Sequence, residues 1–333
     1  MKFLVKAFAA IICLFGAASC IYEDNDDCAS GLRVQIVKDS DVFESDSSFV
    51  LQSDEARVCV FDASGHYLKS VLITGEQLRS NDFYVDIEDI EAGTYTLIAW
   101  IGSQDEDYEF SDLVAGQTTA SEALLTVRQS AQNRKDDYLH PLWYGTVTAA
   151  VINGQRTEVK VPLKEDTHYL TVLIQDNSGK SLDGDDYNFE ITASNGRLNF
   201  NNEIQSGESI AYGSYHVLTQ DVGESGGNPI TGVHAEMSTL RLMADSDARF
   251  TVTDKNSGIK ILDIDLVEYL LMVRENYEGL IGRRLTDQEY LDCVNHHSII
   301  FFLTPTGVEG RPYICVTLNI NGWIVRINNG VLS

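Results

Sequence analysis

Apolar and polar residues alternate in short runs along most of this chain. Residues 32–37 open the pattern as a strand, and the polar stretch 38–54 reads as a long loop. Residues 56–62 are apolar on both faces, which predicts a central strand. Asp62-Ala63-Ser64-Gly65 predicts a turn that returns the chain as a strand over 67–73. A short strand at 83–87 precedes the clearest one, 93–101. There Tyr95, Leu97, Ala99 and Ile101 share one face, and Thr94, Thr96, Ile98 and Trp100 take the other. Residues 102–121 are acidic and rich in Gly, Ser and Thr and read as a loop; 121–132 reads as a short helix. Residues 143–151 and 156–163 read as a hairpin about Asn153-Gly154, a type I′ signal. Val159, Val161 and Leu163 alternate with Glu158 and Lys160, so one face of that pair is wet.

Lys164-Glu165-Asp166 interrupts the strands and predicts a domain boundary, after which the same style resumes. Strands are predicted at 168–175 and at 187–193, with Tyr187, Phe189 and Ile191 inward. Others fall at 212–218 and 232–243, flanking a Gly-rich loop. Residues 249–253 and 259–264 pair across Asn256-Ser257-Gly258. Asp263 or Asp265 then caps one helix running from 266 to about 275, with Leu266, Tyr269, Leu270 and Val273 at helical spacing. Strands at 298–304 and 313–320 follow, and Asn321-Gly322 turns the last hairpin into 323–327. Many short strands and few helical runs predict an all-β chain. Two tandem sandwiches, over 31–164 and 165–333, fit the length.

The first residues break this pattern. Lys2 and Lys6 precede an apolar run too short for a membrane span, and small residues Ala17-Ala18-Ser19 lead into Cys20. This layout is similar to a bacterial lipoprotein signal over 1–19, cut between Ser19 and Cys20 and acylated on Cys20. An ordinary signal peptide is the alternative. Glu23, Asp24, Asp26 and Asp27 make 20–30 an acidic tether. They resemble the surface-export signal of Bacteroidetes lipoproteins, and a plain solvated linker has the same charge. Formal charge is −26, and losing the two signal lysines leaves about −28. Such a surface repels nucleic acid and anionic membrane. Cys28, Cys59, Cys293 and Cys315 remain for pairing in an oxidising compartment. Cys28 with Cys59 brackets the first two strands and is the favoured bridge, contributing roughly 3–4 kcal/mol; four buried free thiols are the alternative.

Candidate chemistry is sparse. Gly223-Glu224-Ser225-Gly226-Gly227 matches a nucleophile-elbow string, but Asn228-Pro229 follows where a helix must begin. His296-His297, with Cys293 nearby, is the one histidine pair; neighbours on a strand point to opposite faces, which opposes a shared metal. Asp183, Asp185 and Asp186 lack the ligand order of an EF-hand. No phosphate loop, dinucleotide fingerprint or acid pair is present, so the chain reads as a non-enzyme with no catalytic residue, metal or cofactor.

Several strings appear together in order. They are Asp27-Cys28 with Gly31; Val60-Phe61-Asp62 with Gly65; Ala92-Gly93-Thr94-Tyr95 with Ala99-Trp100; and Pro141-Leu142-Trp143-Tyr144-Gly145. Phe189-Glu190-Ile191 with Asn195-Gly196, Arg241-Leu242 and Ile320-Asn321-Gly322-Trp323-Ile324-Val325-Arg326 follow. With Cys20 and its acids, this order over nearly the whole mature chain resembles the FimB-type fimbrial anchor lipoproteins, the minor-fimbrium anchoring subunits of the type V pili of Bacteroidetes. Tyr290-Leu291-Asp292-Cys293 departs from the family, where a charged residue is more usual than Cys. The resemblance implies two transthyretin-like Greek-key β-sandwiches at the base of a pilus. It implies a lipid anchor in the outer membrane, exposed at the cell surface, that holds the shaft and limits its length. The implied partners are a shaft pilin or accessory pilus subunits. A terminal strand is easiest to release, so Trp323, Ile324, Val325, Arg326 and Ile327 are the strand-exchange candidates. A surface adhesin or accessory subunit binding a host or glycan ligand is the rival reading, and a cell-envelope enzyme is a weaker one.

Overall fold

The computed structural model describes residues 31–39, 55–102, 106–308 and 311–326. The signal 1–19, Ser19, Cys20, the tether 20–30, Cys28 and Ile327 lie outside them. In the first half seven strands are hydrogen-bonded in the order Tyr67–Thr74, Glu55–Phe61, Gly93–Ile101, Trp143–Val151, Arg156–Glu165, Gly31–Lys38, Tyr84–Ile87. This ribbon folds over at Arg156–Glu165. Only Lys164 and Glu165 pair with Tyr144 and Trp143, whereas Arg156 to Leu163 pair in parallel with Gly31 to Lys38. A four-stranded layer thus faces a three-stranded one. Leu32, Val34 and Ile36 from the smaller layer meet Val58, Val60, Leu97 and Ala99 from the larger in one core.

The hairpin expected at Asn153-Gly154 is not formed. Of the two residues only Gly154 has a positive φ, 67°, and a type I′ turn needs both. Gln155 N donates to Ile152 O at 3.2 Å, closing a different turn. The core overrides the local signal: Ala149, Val151, Val161 and Leu163 are all buried in it, so the two strands face each other across the sandwich. They meet again at Gly145, where a Cβ would lie 2.4 Å from the Pro162 carbonyl oxygen.

The second half pairs a six-stranded sheet with a five-stranded one. The larger runs His216–Ser225, Asn228–Thr239, His168–Asp176, His296–Val308, Arg311–Ile320, Trp323–Arg326. The smaller runs Lys260–Asp265, Arg249–Asp254, Tyr187–Ala193, Ile210–Gly213, Arg134–Lys135. Tyr187, Phe189 and Ile191 point inward as their alternation predicts. Asp265 caps the expected helix by accepting from Glu268 N at 2.9 Å. That helix ends at Leu271, and two more follow, Arg274–Ile281 and Asp287–Cys293.

Residues 121–132 are not helical. Leu124–Val127 is a strand between Tyr108–Phe110 and Arg197–Asn199. Leu125 and Val127 are buried while Leu124 and Thr126 are half-exposed, a period of two that pairing partners from elsewhere in the chain enforce. Residues 108–142 therefore pack with the second half, although they precede the boundary expected at 164–166. Gly93–Ile101 divides the cores: Tyr95, Leu97, Ala99 and Ile101 face the first, and Ile98 and Trp100 face the second. Trp100 is fully buried, with ring centroids 4.8 Å from Tyr144 and 5.8 Å from Phe200.

Candidate attachment site

The described fold begins at Gly31. Gly31–Lys38 is held on one side by Arg156 to Leu163 and on the other by Tyr84 to Ile87. Leu32, Val34 and Ile36 point into the core. A strand clamped along both edges is firmly held.

At the opposite end of the chain, Trp323–Arg326 is the outermost strand of the six-stranded sheet. Asn321 and Gly322 both have positive φ, 50° and 87°, as a type I′ turn requires. The turn is fastened at its root: Ser298 N donates to Asn321 Oδ1 and Asn321 N to Ser298 O, each at 2.8 Å. Beyond the turn little holds the strand. Four residue pairs join it to Thr317–Ile320. Ile324 is 69% exposed and Trp323 37%, and Val325 alone packs on the core. Of the five strand-exchange candidates, four are therefore on the outermost strand of that sheet among the described residues, an edge of the kind that can pair with an added strand.

The other candidates are structural. Ser225 faces Asn228 at an exposed hairpin tip, not on an elbow before a helix. His296 is exposed and stacks on Tyr169, while His297 is buried on the other face of the strand. Among the described residues no three His, Cys, Asp or Glu side chains are arranged to hold a metal ion. Asp183 caps a short 3-10 turn by accepting from Asp185 N, and Asp186 accepts from Asn256. Cys59 is a buried free thiol, pushed up to about 12 by burial, rather than half of a bridge within the described residues.

A partly buried polar cluster at the crossing between the halves was not singled out as a site by sequence reasoning. Arg241 donates to Asp292 at 3.0 Å and to Asn202 O at 2.6 Å, and its Nε lies 3.9 Å from Asp166. Asn202 Nδ2 donates to Asp166 at 3.0 Å. Burial pushes the Asp166 carboxyl up to about 6, partly offset by Arg241. Beside it His168 Nδ1 and His297 Nε2 are 3.3 Å apart; burial lowers both rings, His168 to about 3, so the pair is neutral. In the sequence Asp166 stood only in a charged triplet, and Arg241 only in a short family string.

The model of the fimbrillin-A associated anchor proteins Mfa1 and Mfa2 matches residues 25–329. The chain belongs to this anchor family. The minor fimbrium anchoring subunit Mfa2 of Porphyromonas gingivalis is 25% identical over 334 residues, covering 97% of this chain and 95% of its own length. The solved structure of the fimbrial anchor protein Mfa2 from that organism superposes with a TM-score of 0.71 at 23% identity, covering 90% of this chain and 99% of that one. A candidate adhesin from Bacteroides thetaiotaomicron superposes with a TM-score of 0.77 at 26% identity, covering 90% of this chain and 99% of its own.

In this anchor-family chain the strings that carry the resemblance sit where the fold needs them. Asp62 accepts from Ser64 N and His66 N, and Gly65 has φ 81°, which closes the turn. Tyr144 donates to Phe200 O across the halves at 3.1 Å, and Gly145 permits the strand crossing. Asn195 donates to Leu240 O and Arg241 O and accepts from Tyr212, tying three segments together.

Proposed function

We propose that this chain is an outer-membrane lipoprotein that anchors a fimbrial shaft at the cell surface and limits its length. Its membership of the anchor family over 25–329 carries this reading. Acyl chains on Cys20 supply the membrane hold. Each buried methylene contributes about 0.8 kcal/mol, so one chain binds marginally and several bind firmly. The acidic tether keeps the sandwiches clear of the anionic surface. The Trp323–Arg326 edge offers a strand for exchange with a shaft pilin or accessory subunit. A protein fixed at the membrane and pairing through one edge terminates a fibre at its base.

The test is Cys20→Ala in piliated cells, following this protein and its fibres together. Fibres shed into the medium, or long and detached, support the anchor. Fibres that stay attached at normal length while the protein is released overturn it. The likeness to a candidate adhesin favours the second reading, a surface adhesin or accessory subunit. That reading predicts ligand binding by the soluble sandwiches with no change in fibre attachment.

A further inference from the structure

The direction of the strands bears on what tension does to this molecule. Gly31–Lys38 runs parallel to Arg156–Leu163 in eight unbroken residue pairs, Gly31 with Arg156 through Lys38 with Leu163. A tether pulls the first strand backward from Gly31. The second strand leaves the first half at its forward end and, after only Asp166 and Thr167, becomes His168–Asp176. Tension between the membrane and the second half therefore pulls these parallel neighbours in opposite senses along their length. Such a pair is loaded in shear, and its hydrogen bonds share the force instead of breaking one after another. Tyr84–Ile87 clamps the outer edge of the tether strand. Leu32, Val34 and Ile36, buried to 3% exposure or less, must leave the core for it to slide.

The same geometry recurs across the crossing. His168–Asp176 is interior to the six-stranded sheet and runs parallel to His296–Val308 in eight pairs, Tyr169 with His296 through Asp176 with Leu303. Pulled back at His168 while the sheet is held at its far end, this pair is also sheared. We propose that the fold has a further function, to carry tension from the tether to the shaft-bearing sheet through two parallel strand pairs in series, joined by one nearly continuous strand. This rests on the anchor reading for the direction of load. Its physical content is independent of any fibre: the chain is much stronger when pulled from Gly31 toward the far end of the second half than along other directions.

The test is single-molecule force spectroscopy on the mature chain with the Cys20 lipid replaced by an N-terminal handle. One form carries its second handle as a peptide tag inserted at Gly307, an exposed residue at an irregular pairing near the far end of His296–Val308. The other carries the same tag in the exposed turn at 152–155. There both handles sit at the same end of the Gly31–Arg156 pairing, so the pull unzips it one pair at a time. At one loading rate the first form is expected to break at a higher force than the second. Urea unfolding of both tagged forms at the untagged midpoint shows that neither insertion weakens the fold. Equal forces, or a weaker first form, overturn the load path while leaving the Cys20→Ala result untouched. Conversely, fibres that stay attached in that variant leave the force difference standing and remove only the anchor reading.

Discussion

Ending the chain after Gly322 tests whether the terminal strand is free to be released. The described part of what is lost is Trp323–Arg326. Its four-pair antiparallel ladder makes about four backbone hydrogen bonds, each worth about 1 kcal/mol net. Val325 adds about 1 kcal/mol by partial burial, while the exposed Trp323 and Ile324 add little. The sum, about 5 kcal/mol, is opposed by fixing four residues at about 1–2 kcal/mol each. The balance therefore runs from about 1 kcal/mol in the strand's favour to about 3 kcal/mol against it. The core beneath it is untouched, since Leu318 and Ile320 are held by the layers and by the neighbouring His296–Val308.

Urea unfolding of the soluble chain measures the cost, and retention of fibres by cells measures the function. The truncated chain is expected to fold, to lose no more than about 2 kcal/mol, and to fail to hold the shaft. A loss above about 4 kcal/mol, or a second half that does not fold, would falsify the argument, because a strand that the sandwich needs is not available for exchange. Fibres retained at normal length by a folded truncated chain would move the shaft contact to another edge.

Three further outcomes are expected. Gly145→Val drives side-chain atoms into the Pro162 carbonyl and should cost about 3 kcal/mol or more, read as a lowered urea midpoint. Burial raises the Asp166 pKa, so its contribution to stability grows as pH falls through about 6, whereas His168 and His297, lowered by burial, lose stability as pH falls below the ordinary histidine range. Asp166→Asn removes the offsetting gain, and unfolding at pH 7 and pH 5 should show the variant losing about 1 kcal/mol more than the parent between them; an equal loss refutes the assignment. In the native protein a thiol reagent should modify half-buried Cys293 before Cys59 and Cys315, whose buried thiols are pushed up to about 12 and about 11; mass mapping reads the order.

What the sequence made legible is what local alternation determines. The two faces of Gly93–Ile101 were readable because a strand buried on both sides must be apolar at both parities, and each parity goes to its own core. The Asp265 cap and the Tyr187–Ala193 alternation are equally local. The two Asn-Gly pairs show the limit. Asn321-Gly322 makes the hairpin its residues favour, because Ile320 and Trp323 have nowhere to go but the same sheet. Asn153-Gly154 has the same residues and does not, because both flanking strands carry apolar faces that one core must cover. Turn preference amounts to about 1 kcal/mol, and burying several Val, Leu and Ala side chains outweighs it severalfold.

The same contest explains why the outer strand Trp323–Arg326 was legible in the sequence and the crossing was not. The terminal strand is defined by its own hairpin, so its place at an edge follows from residues within a dozen positions of one another. The crossing is assembled from Asp166, Asn202, Arg241 and Asp292, four residues that no window joins. Each alone reads as a surface charge or a loop amide. Asp166 and Asn202 are buried and Arg241 and Asp292 partly so, and they hold one another through direct hydrogen bonds, so losing one leaves its neighbours less paired at a cost of about 3 kcal/mol or more. Asp166 lies in the short link between Glu165 and His168, and the other three lie around it; under the proposed load path that link carries tension into the second half. A link that short leaves the two sandwiches little room to turn, so under the proposed load path their docking sets the direction in which each parallel pair is pulled. A partly buried charge cluster supplies that docking with directionality that apolar packing alone lacks. Releasing it with Arg241→Met, without disturbing either sheet, should lower the force needed to separate the halves more than it lowers the urea midpoint.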